Sequence, residues 1–175
     1  MRGLRLFAVV LAVVALSSVA NAQSRLNLTD TPWSSGLLFG FTTFTINNAG
    51  TWAAFALELP VEYTFKAGPG DVAAHFGMLL STRSGFTSIA LPIGVRYKIR
   101  VISAPLYVYP LLDVGPTFET KGGSAAGMLR VGGGVSYLVH RNIELLFQPL
   151  GLGASFDANG GNFAYNFLMG AQARF

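Results

Sequence analysis

The chain has 175 residues, 51% hydrophobic and 11% charged, with a formal net charge of +4 and a mean hydropathy of +0.48. Charged residues usually make up about a quarter of a soluble domain, so a conventional water-soluble globule is a poor fit. The absence of Cys excludes a disulfide scaffold, a thiolate zinc site, a thiol nucleophile and a lipoprotein anchor, and the length suits one domain.

The N-terminus reads as a targeting segment. Arg2 and Arg5 give a basic start, Leu6 to Leu16 an apolar run, and Ala20-Asn21-Ala22 a small-x-small cleavage site. This pattern predicts a signal peptide over 1–22 and a mature chain from Gln23. Its removal takes two arginines and leaves a formal balance of +2, so the sequence pI of about 9.7 belongs partly to the precursor. Nucleic acid is therefore not an expected partner. Residues 23–33 show no strand pattern; they read as a periplasmic tail, or as a segment anchored at the interface by Trp33.

From Gly36 onward, polarity alternates with the period of a strand. Spanning a bilayer as a helix needs about 20 consecutive apolar residues, and every such stretch of the mature chain is interrupted by charge, Gly or Pro. A closed barrel is the other way to satisfy the backbone in lipid. Eight segments follow in order: 36–46, 51–66, 71–82, 86–100, 104–118, 125–139, 142–156 and 162–175. In the second, Phe55, Leu57, Leu59, Val61, Tyr63 and Phe65 share one face. In the fourth, Ile89, Leu91, Ile93, Val95, Tyr97 and Ile99 do so, and in the last, Phe163, Tyr165, Phe167, Met169, Ala171, Ala173 and Phe175. Each segment exceeds the 9–11 residues a membrane strand needs. The breaks carry turn chemistry: Asn47-Asn48-Ala49-Gly50, Gly68-Pro69-Gly70-Asp71, Arg83-Ser84-Gly85, Lys121-Gly122-Gly123, Arg141-Asn142 and Asp157-Ala158-Asn159-Gly160-Gly161. The expected fold is all-β: an eight-stranded antiparallel up-and-down transmembrane β-barrel over 34–175.

Charge placement agrees with this parity. Glu58, Glu62, Lys66, Arg96, Lys98, Arg100, Asp113, Arg130, Glu144 and Arg174 all fall opposite the apolar residues. Arg25, Asp30, Asp71, Arg83, Glu119, Lys121, Arg141 and Asp157 fall at the N-terminus or in turns. An Arg or Lys on the lipid face near the midplane costs about 2–4 kcal/mol, so the charged parity should face the lumen. Tyr107 and Tyr109 share the parity of Asp113 and are expected inside. Tyr63, Phe65, Tyr97, Tyr137, Phe147 and Phe163 suit interfacial girdles. Pro60, Pro92, Pro110 and Pro149 lie within proposed strands, where the missing N–H predicts bulges or broken ladders. Gly132-Gly133-Gly134 predicts room for large lumen side chains or sharp curvature.

Several motifs resemble those of a known family. They are Leu91-Pro92-Ile93-Gly94-Val95-Arg96-Tyr97, Pro105-Leu106-Tyr107-Val108, Gly115-Pro116, Gly132-Gly133-Gly134-Val135-Ser136-Tyr137 and the terminal Phe175. Together they are similar to the bacterial outer membrane protein beta-barrel domain family of small, porin-like, OmpA/OmpX-like barrels. The resemblance is strongest over 86–175. It implies residence in the bacterial outer membrane after export, contact with outer-membrane lipid, and recognition of Phe175 by the outer-membrane assembly machinery. It supplies no catalytic residues.

The expected site is an ionic cluster in the lumen: Glu58, Glu62, Asp113 and Glu144 with Arg96, Lys98, Arg130 and Arg174. It reads as an ion-paired plug or as a narrow polar conduit. His75 and His140 lack metal-ligand spacing, and Asp157-Ala158-Asn159-Gly160 reads as a turn rather than a calcium loop. Ser136 and His140 share a parity but stand about 13 Å apart along a strand, too far for a nucleophile–base pair. No catalytic, metal or cofactor site is expected. The first functional expectation is a non-enzymatic envelope protein. A narrow pore for ions or small solutes is the second, and a soluble secreted barrel binding an apolar ligand is the third. No oligomeric state is specified.

Overall fold

The computed structural model describes residues 26–46, 50–101, 104–120, 125–157 and 160–175. The signal peptide read over 1–22 lies outside the described residues, as do turn positions 47–49, 121–124 and 158–159. A 3₁₀ turn, Leu28–Asp30, precedes nine strand segments. These are β1 Trp33–Ile46, β2 Gly50–Ala67, β3 Gly70–Arg83, β4 Phe86–Ala90, β5 Ile93–Arg100, β6 Leu106–Glu119, β7 Ala125–His140, β8 Ile143–Asp157 and β9 Gly160–Arg174. All pairings are antiparallel and join sequence neighbours, except that β4 and β5 each pair with both β3 and β6 and that β1 pairs with β9. The seam is closed by reciprocal bonds between Trp33 and Phe175, at 3.1 and 2.9 Å. The segments β4 and β5 lie end to end between β3 and β6, so they form one stave of an eight-stave barrel.

The prolines act where they were expected to, by different means. Leu91-Pro92 interrupts the fourth stave, although the Pro92 carbonyl still accepts from Gly77 N at 2.9 Å. Opposite Pro60 the β1 ladder lapses between Ser35↔Val61 and Leu38↔Glu58 without changing register. Pro110 causes the same lapse between Arg96↔Leu111 and Ile99↔Val108. Each lapse is what a residue without an N–H produces. Pro149 makes a true bulge: the β8–β9 register shifts between Gln148 and Gly151. This bulge turns β8 over, so Leu145 and Phe147 point outward before it and Leu150, Leu152 and Phe156 after it.

Glycines shape the tight turns and the seam. Gly68 and Gly85 have φ of +63° and +71°, a conformation that L side chains rarely adopt. At Gly40 a Cβ would lie 1.9 Å from the Phe167 carbonyl across the β1–β9 seam. In the Gly132–Gly134 run the expected room for a lumen side chain is taken by Tyr109. A Cβ on Gly132 would meet the Leu150 carbonyl at 2.1 Å, and one on Gly134 would meet the Tyr109 hydroxyl at 2.7 Å.

The outer face carries Phe39, Phe41, Phe55, Phe65, Phe76, Ile93, Leu112 and Val114, all exposed. The inner face is buried and polar, with a short apolar layer of Leu38, Leu79, Leu111, Leu146 and Leu168. One inward placement needs correcting. Lys66 has passed the rim, its side chain 66% exposed, whereas Arg100 keeps the inward parity, half-buried over the Tyr107 ring. Lys66 stands near a strand end, where alternation no longer separates lipid from lumen. Asp71, read as a turn residue, is a buried member of β3 at 3.4 Å from Lys66.

Candidate functional site

Alternation decides which residues face inward; register decides which of them meet. A path through facing register partners leads from Arg174 through Ser34, Glu62, His75, Gly94, Asp113, Arg130 and Gly153 to Ala164. It returns to β9 ten residues from its start, Arg174 to Ala164. At ~3.3 Å per residue and ~4.8 Å between strands, this stagger tilts the staves by about 40°. One slanted ladder thus lines up Arg174, Glu62, His75, Asp113 and Arg130. Gly94 leaves the space for this, because a Cβ there would sit 2.2 Å from an Asp113 oxygen.

All eight residues expected in the ionic cluster come together in one network, and every side chain in it is fully buried. Charges alternate along it. Arg174 donates to Glu144 at 2.5 Å, and Lys98 bridges Glu144 (2.7 Å) and Glu62 (3.0 Å). Glu62 also accepts from Arg96, which reaches Glu58 at 3.4 Å. Arg130 donates to both Glu58 oxygens, at 2.7 and 3.0 Å, and its Nε donates to Asp113 at 2.8 Å. Such pairs hold buried charge only when the partners stay matched, and removing one side typically costs about 3–5 kcal/mol.

His75 completes the network and was not among the expected members. Its Nδ1 lies 3.1 Å from Asp113, and its Nε2 lies 3.1 Å from Glu58, outside hydrogen-bond alignment. Its inward parity was legible; the register that sets it between two acids was not. Tyr107 and Tyr109 point inward as expected, under the guanidinium groups of Arg100 (5.9 Å) and Arg96 (5.5 Å). Beside Tyr109, several buried atoms have no partner among the described residues: the Tyr109 hydroxyl, the Ser136 hydroxyl and both ends of the Gln148 amide.

Of the segment before β1, the described residues 26–32 are folded into the barrel mouth at the chain-terminal end, which corrects their reading as a tail. Leu28 is fully buried against Tyr107 and Leu138. Arg174 donates to the Leu28 and Thr31 carbonyls at 2.7 and 3.0 Å, and Thr31 donates to the Arg141 carbonyl at 2.8 Å. Trp33 is half-exposed on the outer face and packs on Tyr63, ring centroids 4.9 Å apart.

The far half of the lumen is lined mainly by uncharged polar side chains. Thr42, Ser81, Ser88, Thr117 and Asn166 are buried there and bonded to one another in two groups. Ser136 is buried, whereas His140 is exposed at a strand end, its Nδ1 accepting from Asn142 N at 3.3 Å. The two do not form a site. Among the described residues, no group of three or more His, Asp or Glu side chains has an arrangement suited to a metal ion. Phe175 is 65% exposed at the end of the seam.

No protein-family model and no curated protein sequence matches the chain. Among solved structures it is similar to Neisserial surface protein A, with a TM-score of 0.62 and 15% identity over 82% of this chain and 97% of that one. It is also similar to a major outer membrane protein of Thermus thermophilus, at a TM-score of 0.55 and 15% identity over 82% and 98%. The chain has the fold of the small, OmpA/OmpX-like outer-membrane barrels.

Proposed function

We propose that this chain is an integral protein of a bacterial outer membrane, non-enzymatic, with a sealed lumen and a structural role in the envelope. One observation carries the proposal: the continuous buried network from Arg174 to His75, which fills the lumen with matched charges. The Leu28 segment stoppers the mouth on its terminal side. Three further features support membrane residence. The outer face is a band of exposed Phe, Leu, Ile and Val, the ring is closed and leaves no sheet edge, and the fold is shared with outer-membrane proteins. Export through the signal peptide over 1–22, recognition of Phe175 by the assembly machinery, and contact with outer-membrane lipid belong to the same proposal. His75 faces acids rather than a hydroxyl on both ring nitrogens, which leaves it without a nucleophile to activate.

The narrow-pore reading draws on the hollow far half of the lumen. For it to hold, ions would have to pass a network in which each charge is already matched, at the cost of unpairing buried groups. Planar-bilayer recording separates the two readings, using mature protein whose gel band shifts between unheated and boiled samples. The expected result is silence from the folded, inserted species. Discrete steps that change in Glu62→Gln or Arg130→Gln would overturn the sealed lumen and establish a pore. Failure to form any heat-modifiable species would count against membrane insertion and favour a soluble barrel.

A further inference from the structure

The far half of the lumen encloses a cavity of about 50 Å³, open toward the mouth opposite the chain termini. A buried water needs roughly 10–15 Å³ measured this way, so the space takes about four waters, or one solute of about six non-hydrogen atoms. Its wall is built to hydrogen-bond. Ser81 donates to Thr42 at 3.2 Å, and Thr42 donates to the Asn166 carbonyl oxygen at 2.5 Å. This chain commits the Asn166 oxygen and leaves its amide N–H donors without a partner among the described residues. Asn166 is 3% exposed and lines the cavity. Elsewhere on the wall, Ser88 and Thr117 form a hydroxyl pair at 3.2 Å, which can donate or accept further. Leu79, Ala90 and Met128 give the cavity an apolar side.

Charge complementarity narrows the ligand. Arg130 lies at the floor, but its guanidinium is held by Glu58 at 2.7 Å and by Asp113 at 2.6 Å. Glu119 stands half-buried at the rim and is already partnered. Neither offers a free charge to a ligand ion. The Asn166 N–H groups call for acceptor oxygens, and the hydroxyl pair for a group that both donates and accepts. We infer that this cup binds a small neutral solute carrying hydroxyl oxygens, of the size of a three-carbon polyol. Binding there does not depend on whether ions pass the network beneath, so its failure is separable from that of the sealed lumen.

Saturation-transfer NMR on the mature protein, refolded in deuterated detergent, tests the inference with glycerol as probe. A saturable glycerol signal in the millimolar range is expected, with no comparable signal from acetate or methylammonium. Asn166→Leu removes the free donors and should weaken binding at least about tenfold. Ser155→Leu fills the cavity from a wall outside the Ser81–Thr42–Asn166 chain and should abolish it; it carries the test where Asn166→Leu does not fold. The inference is overturned by the absence of a saturable signal from heat-modifiable wild type. An undiminished signal in folded Ser155→Leu, or acetate binding as strongly as glycerol, overturns it equally.

Discussion

The two halves of the lumen obey the same inward parity and are filled in opposite ways. Toward the chain termini, long charged side chains from Arg174 to Arg130 meet across the barrel and are fully buried against one another. Toward the other mouth, the inward positions carry Ser81, Ser88, Thr117 and Asn166, and a cavity opens between them. An eight-stranded barrel is just wide enough for side chains to fill, so side-chain length decides whether a given level is plugged or hollow. Inward parity therefore specifies polarity, not occupancy.

The largest expected effect breaks the charged half. Glu58→Ala strips both bonds from one side of the Arg130 guanidinium and removes the acid beside Arg96 and His75. It should cost about 3–5 kcal/mol, read as a lowered urea midpoint of protein refolded into lipid vesicles. Ser88→Ala, in the other half, loses one hydroxyl pair and should cost about 1 kcal/mol. Equal losses in the two variants would erase the distinction between the halves.

A charge on the other face sharpens the comparison next. Leu112 is adjacent to Asp113 but points outward and is 48% exposed. In vesicles, Leu112→Arg should destabilise by about 2–4 kcal/mol. Tolerance of the arginine would show that this face meets water rather than lipid. A smaller loss is expected at the seam. Gly40→Ala forces a Cβ to 1.9 Å from the Phe167 carbonyl and should cost about 1–3 kcal/mol, while Gly127→Ala meets nothing within 4 Å and should be near neutral. The smallest effect belongs to Gln148, at the border between the halves. Its buried amide lacks partners among the described residues, so Gln148→Leu should be neutral or stabilising, within about 1 kcal/mol. A clear loss of stability would mean that the amide is bound to something at that border.

Much of this architecture is written locally in the chain. The outward series from Phe55 to Phe65 and the inward charges from Glu58 to Arg174 follow from period-two alternation, and both faces are where that alternation puts them. Pro92 and Pro149 announce their own break and bulge because a proline cannot donate, whatever surrounds it. At the strand ends the local signal weakens. Lys66 and Asp71 were misread there because alternation reports a face only while a residue lies between lipid and lumen. The reversal of β8 at Pro149 left a trace too: its apolar residues switch from odd positions, Leu145 and Phe147, to even ones, Leu150 and Leu152.

By itself, then, the sequence determined the strands, their faces and the polarity of the interior, since each depends on neighbours within a few residues. Tertiary structure alone decided the partners. Glu58 meets Arg130 across 72 residues of chain, and His75 stands between Glu58 and Asp113. These meetings depend on the ten-residue stagger of the closed ring and on the packing of the Leu28 segment into its mouth. Closure is a condition on all eight staves at once. No single strand carries the register that brings a charge to its counterion or leaves a cavity beside it.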